Sequence, residues 1–359
     1  EALSSQISNA VYGRKNQGDS VYTTLNIDLQ KTAYEALGDN NGAVVVTNSS
    51  TGEILAMVSK PDFDPNTLEL VWEDIVADDN NSVLLNRATQ GLYAPGSTFK
   101  MITTLEYLRE NNQDIDEYEF ECEGSFELGE DKINCYHGTV HGLVTMEQSF
   151  AKSCNSSFAN IGSQLEERSF QSTLHDLMFN EALPLMLPSS KSSITLDADT
   201  SDGDMLQYAI GQGDILMTPM HVNMITQAIA NDGMLMEPQI LERVENNQGI
   251  LVKEFETDEY KRLMTKEEAE ILTQFMVEVV KSGTATALNN SYYTVAGKTG
   301  SAEFKEGSSD SHAWFTGFAP VQNPEICITV IVEEGGSGSK MAVPIAKKIF
   351  DVYFETLAN

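Results

Sequence analysis

The chain has 359 residues, 41% of them hydrophobic, enough to bury one large core or two ordinary ones. Its 22 Lys and Arg stand against 54 Asp and Glu, a formal charge of −32 that repels phosphate backbones and argues against nucleic acid as a partner. The acids are spread, as in Glu69–Asp79, Asp114–Glu130 and Asp197–Asp204, which is the pattern of a solvated, self-repelling surface.

Residues 1–18 are polar and lack the charged-then-apolar pattern of a signal peptide, and no run of 18 or more apolar residues occurs. The sequence opens at Glu1 without an initiator Met. The expectation is that 1–18 is the remnant of a linker or non-catalytic module, any anchor or export signal lying upstream. The folded domain is expected over 19–359. Val21–Asn26 reads as a strand and Asp28–Leu37 as a helix. Two β-branched runs, Gly42–Asn48 and Glu53–Ser59, flank the turn Ser49-Ser-Thr-Gly52 and predict a hairpin.

Helical periodicity marks Ser97–Glu110, Thr145–Leu165, Thr218–Asn231, Lys266–Lys281 and Ala342–Leu357. Thr299–Phe304, His312–Ala319 and Glu325–Glu333 read as three further strands, and Glu334–Ser339 as a flexible loop. Strands at both ends and helices between them predict an α+β domain. Its five-stranded antiparallel sheet is expected from 19–60 and 292–359, flanked by helices, with an all-helical subdomain over about 61–291 and a cleft between the two.

Ala94-Pro-Gly-Ser97-Thr-Phe-Lys100 places a serine at a helix start, with Met101, Ile102, Leu105 and Leu108 as the apolar face behind it. Lys100, three residues on, shares a face with Ser97 and can reach it; a hydroxyl needs such a base to become nucleophilic. The helix N-terminus adds partial positive charge for an oxyanion. Alone this spacing is common in ordinary helix caps. It is followed by Ser153-Cys-Asn155, and then by Lys298-Thr-Gly-Ser301 on a predicted strand.

With these three motifs in this order, the chain closely resembles the transpeptidase domains of penicillin-binding proteins. The resemblance extends through Thr51-Gly-Glu-Ile-Leu-Ala-Met-Val58, Asn86-Arg-Ala-Thr-Gln-Gly91, Gly211-Gln-Gly213 with Thr218-Pro219, and Ala313-Trp-Phe-Thr-Gly-Phe-Ala-Pro320. It covers nearly everything from Val21 onward and looks most like the class B, high-molecular-weight type. It implies that Ser97 accepts the acyl group of a D-Ala-D-Ala stem peptide, with Lys100 as proton acceptor and Ser153 as relay to the leaving amine. Asn155 would orient Lys100 and hold the substrate amide. Because residues two apart do not face each other on one helix, a helix break at Ser153–Asn155 is predicted. Lys298 would supply charge near the substrate carboxylate, Thr299 a hydroxyl to it. Gly300 would let the substrate lie along the strand, and the backbone N–H groups of Ser97 and Ser301 would form the oxyanion hole.

Cys327 and Cys154 read as packing residues. Cys122 and Cys135, followed by His137 and His141, have a spacing compatible with tetrahedral zinc. A disulfide between the two cysteines fits an extracytoplasmic setting equally, and disulfide or free thiols stand ahead of zinc as the expectation. No other cofactor is implied. The resemblance implies peptidoglycan stem peptides as donor and amine acceptor, β-lactams as covalent inhibitors, cell-wall machinery such as a glycosyltransferase as partners, and a membrane anchor upstream. A D,D-carboxypeptidase, a serine β-lactamase, a penicillin sensor and a non-catalytic scaffold are the rivals. No ExxLN string supplies the deacylating base of a class A β-lactamase.

Overall fold

The computed structural model describes residues 18–78, 81–111, 115, 117–303 and 311–357; residues 1–17 and Phe304 lie outside them. Helix α1, Ile27–Leu37, starts where the Asn26 side chain accepts from the N–H groups of Asp28 and Leu29, and buries Leu29, Ala33 and Leu37 along one face. Strands β1, Gly42–Asn48, and β2, Ile54–Lys60, form the predicted hairpin. Helix α2, Lys100–Glu110, is buried on nearly all sides. Two short helices, α3, Met146–Ala151, and α4, Asn155–Gly162, stand where one longer helix was read, separated by the predicted break. Helices α5, Pro219–Ala230, and α6, Lys266–Lys281, begin at Thr218 and Thr265, whose hydroxyls cap them. Strands β3, Ala296–Glu303, β4, Ser311–Ala319, and β5, Ile326–Val332, and helix α7, Ala342–Val352, complete the framework.

The five strands form one antiparallel sheet in the order β3-β4-β5-β1-β2, so the last strands of the chain pair with the first. Helices α1 and α7 pack together against one side of it. Helix α5 is tied to the sheet by a buried polar chain: Thr47 Oγ1 donates to Asn223 Oδ1 at 2.8 Å, Asn223 Nδ2 to Thr329 Oγ1 at 3.2 Å, and the Thr226 and Thr316 hydroxyls lie 2.7 Å apart. Each of these groups is satisfied, which a dry interface requires. The strand read near Val21 lies at Ser20–Thr23 and pairs with Leu241–Glu245, outside the five-stranded sheet. The middle of the chain is mainly but not wholly helical. It holds short ladders between 119–122 and 142–145, 125–128 and 131–134, and 234–236 and 259–262. These strands have three or four residues, too few for a period of two to stand out. Among the described residues no helix is long and apolar enough to cross a membrane.

One ion pair fastens the segment leading to Ser97 onto the sheet. Arg87 Nε lies 2.8 Å from Glu333 Oε1, with the arginine side chain 5% exposed; its other nitrogens donate to the carbonyls of Asn81 and Ser82. The Tyr93 hydroxyl donates to the same carboxylate at 2.6 Å. Removing the carboxylate strands a buried guanidinium. Glu333→Ala is therefore expected to lower stability by about 3–5 kcal/mol, measured by urea unfolding, with a smaller loss for Glu333→Gln.

Candidate active site

Ser97 stands on a 3₁₀ turn, Gly96–Phe99, that runs directly into α2, so the helix read from Ser97 begins one tight turn later, at Lys100. The turn is held from two sides. Gly96 N–H donates to Gly211 O at 2.9 Å, and a Cβ on Gly211 would fall 2.0 Å from Gly96 O, which fixes glycine in the Gly211-Gln-Gly213 phrase. Trp314 Nε1 on β4 donates to Ala94 O at 3.1 Å. The phrases around Gly211 and Trp314 thus act through the chain path on either side of the serine.

Ser153 sits in the gap between α3 and α4 with φ +56°, a left-handed conformation that costs a non-glycine residue energy and marks this corner as strained. The turn brings three groups onto one ammonium: Lys100 Nζ donates to Ser153 O at 2.9 Å and Asn155 Oδ1 at 2.8 Å, and lies 3.4 Å from Ser153 Oγ. Lys100 is fully buried, and desolvation lowers its pKa to about 8, partly offset by Cys154 and Cys135. No hydrogen bond joins Lys100 to the Ser97 hydroxyl among the described residues. Such contacts commonly tighten only when substrate arrives.

Strand β3 carries the third motif along the outer edge of the sheet. Lys298 is fully buried and turned under the strand, its Nζ 3.0 Å from both Ser153 Oγ and Thr299 O. Burial, and then the charge of Lys100, holds its pKa well below the usual lysine range. Its ammonium meets Ser153 and the Thr299 carbonyl, beneath the strand that carries the Thr299 hydroxyl. Thr299 Oγ1 lies 2.5 Å from Thr284 Oγ1. Ser301 is half-buried, its hydroxyl accepting from Gly338 N–H at 3.4 Å. Cavities on both sides of Ser97 run along this edge; one, of about 540 Å³, reaches Asn155, Ser301 and Gln212.

Cys154 is fully buried against Cys122 and Cys135, as expected of a packing residue, and its thiol also lies beside His141; the four potential ligand atoms are within 4.8 Å of one another. Sγ–Sγ separations are 3.7 Å for Cys122–Cys135 and Cys135–Cys154, so all are free thiols. His141 Nδ1 lies 3.4 Å from Cys122 Sγ and 3.7 Å from Cys135 Sγ. His137 is exposed, its ring packed 4.0 Å from that of Tyr136, and does not join the four. The break at Ser153 turns Cys154 inward; the sequence signal for it was the same break that Asn155 required. Thr284, Ser337 and Ser339, which share a cavity with Thr299, carry no sequence signal and arrive through folding alone.

A serine at a helix start, served by buried lysines and bordered by an open strand edge, is the arrangement of a serine acyltransferase. The family model described as the penicillin binding protein transpeptidase domain matches residues 42–351. The chain is 30% identical to the peptidoglycan D,D-transpeptidase PbpA of Mycolicibacterium smegmatis, over 93% of the chain and 72% of that protein. It is also 30% identical to MrdA of Acinetobacter baumannii, over 96% of the chain and 55% of that protein. The fold superposes on the ceftriaxone acyl-enzyme of penicillin-binding protein A from M. tuberculosis with a TM-score of 0.88 at 27% identity, covering 97% of this chain and 83% of that one. On the PBP2–MreC complex from Helicobacter pylori the TM-score is 0.81 at 29% identity, covering 94% and 64%. The chain belongs to the penicillin-binding protein transpeptidase family.

At Gly300 the edge strand passes close to the nucleophile turn: a Cβ there would meet Pro95 O and Trp314 Cβ at 3.1 Å and Thr98 Cγ2 at 3.2 Å. Gly300→Val is expected to displace Ser97 enough to slow penicillin adduct formation about 10²-fold while circular dichroism stays unchanged.

Proposed function

We propose that this domain is a peptidoglycan D,D-transpeptidase acting through an acyl-enzyme at Ser97. The observation that carries the reading is the convergence of Lys100 and Lys298 on Ser153 beside the Ser97 turn, at an open strand edge. Ser97 Oγ bonds to the carbonyl carbon of the penultimate D-Ala as its proton passes to the neutral Lys100 amine. The N–H groups of Ser97 and Ser301 receive the oxyanion. The C–N bond to the terminal D-Ala then breaks, Ser153 relaying a proton to the leaving nitrogen, and Asn155 holds the substrate amide. An acceptor amine attacks the resulting ester and Ser97 regains its proton. Thr299 contacts the substrate carboxylate, Gly300 lets the donor lie against β3 as an added strand, and Lys298 keeps Ser153 oriented. The domain works outside the cell membrane, with an upstream anchor and a glycosyltransferase among its partners; its likeness to peptidoglycan D,D-transpeptidases supports the extracytoplasmic placing.

Intact mass after incubation with a fluorescent penicillin tests the reading. A long-lived single adduct is expected on the unchanged chain and none on Ser97→Ala. Rapid loss of adduct with drug turnover would instead indicate a β-lactamase, and absence of adduct a scaffold; release of D-Ala without transfer to an amine would indicate a carboxypeptidase. Because only neutral Lys100 can accept the proton, the adduct rate should rise with pH and level off above about 8.

We also infer that Cys122, Cys135, Cys154 and His141 hold a structural zinc. Three thiols and one imidazole nitrogen within 4.8 Å fit a closed tetrahedral site, and a bound ion would tie the 122–141 segment to the Ser153 corner. Elemental analysis should give one zinc per chain, lost in Cys135→Ser together with several degrees of melting temperature. A metal-free chain whose four thiols all titrate once unfolded would overturn it.

A further inference from the structure

A small cavity of about 180 Å³ leads from Ser97 along β3, between Thr299–Ser301 on one wall and the Lys152–Ser153 corner on the other. If the acyltransferase reading holds, as this inference requires, the leaving D-Ala must place its carboxylate in this space. The groups already in it are mostly neutral, hydroxyls among them. The hydroxyls of Thr284 and Thr299 face each other at 2.5 Å, so one of the two hydrogens is spent between them, and Ser339 Oγ donates to Thr284 O at 2.6 Å. Neither Lys100 nor Lys298 lines the cavity; both ammonium groups point to Ser153 beneath its wall. A carboxylate held here by the Thr299 hydroxyl, on a protein of charge −32, would gain further from a cation that faces the cavity.

Lys152 is that cation. It lines the cavity and is exposed, and among the described residues no acidic side chain pairs with it. Its backbone is fixed: the N–H of Lys152 donates to Gln148 O at 2.9 Å as the C-cap of α3, and the strained Ser153 follows directly. The long stem therefore starts from a defined point at the cavity wall while its ammonium is free to swing to a ligand. We propose that Lys152 is a specificity-determining residue, pairing with the terminal carboxylate of the donor stem peptide, and with the equivalent carboxylate of a β-lactam, to select acids over their neutral derivatives.

The test is a kinetic cycle on the purified chain, with penicillin G and its methyl ester as probes and adduct formation at Ser97 followed by mass. Lys152→Gln is expected to slow acylation by penicillin G about tenfold and to leave the ester's rate unchanged, while Lys152→Arg restores the acid's advantage. The difference between lysine and glutamine should shrink as salt is raised, which a merely structural role would not produce. Equal slowing of both probes, or of neither, overturns the proposal. Absence of any adduct on the unchanged chain would overturn the acyltransferase reading itself, and this proposal with it.

Discussion

Two ammonium groups share one hydroxyl: Lys100 and Lys298 are both fully buried, and both reach Ser153 Oγ, at 3.4 and 3.0 Å. Burying two like charges together is unfavourable, and desolvation pushes both lysines below their ordinary range. The site tolerates this because each ammonium is held by oxygen acceptors, from Ser153, Asn155 and the Thr299 carbonyl. That arrangement needs a serine whose hydroxyl and carbonyl both face inward between two elements. The left-handed turn between α3 and α4 supplies it.

Much of the remaining architecture holds that corner in place. The Cys and His group packs directly behind it, with Cys135 Sγ 3.0 Å from Ser156 Oγ and Cys154 Sγ accepting from Ser157 N–H at 3.4 Å. Asn155 Nδ2 donates to Asn134 O at 3.1 Å, beside Cys135. On the opposite wall, β3 is rigid because it is one edge of a sheet whose β1 and β5 are almost wholly buried. A strained loop and a stiff strand thus face each other across Ser97, the division of labour expected where a catalytic group is preorganised by surrounding structure.

The electrostatics divide in the same way. The chain is strongly acidic overall, while Lys100 and Lys298 are buried together at Ser153. Desolvation lowers the pKa of both buried lysines, whereas Lys152 stands exposed at the cavity wall.

The sequence by itself determined the three motifs, the hairpin, the paired strands at opposite ends of the chain and the break at Ser153, because these rest on short-range rules: apolar period, turn chemistry and side-chain spacing. It even required that Ser153 and Asn155 leave a common helix before they could act together. It did not determine that Cys154 rather than His137 completes the thiol group, that Lys298 turns under its strand, or that Thr284 and Ser339 stand beside Thr299. Those placements depend on which way a side chain leaves a turn or a wall, and that direction is set by packing between segments far apart in the chain, which only the tertiary structure decided.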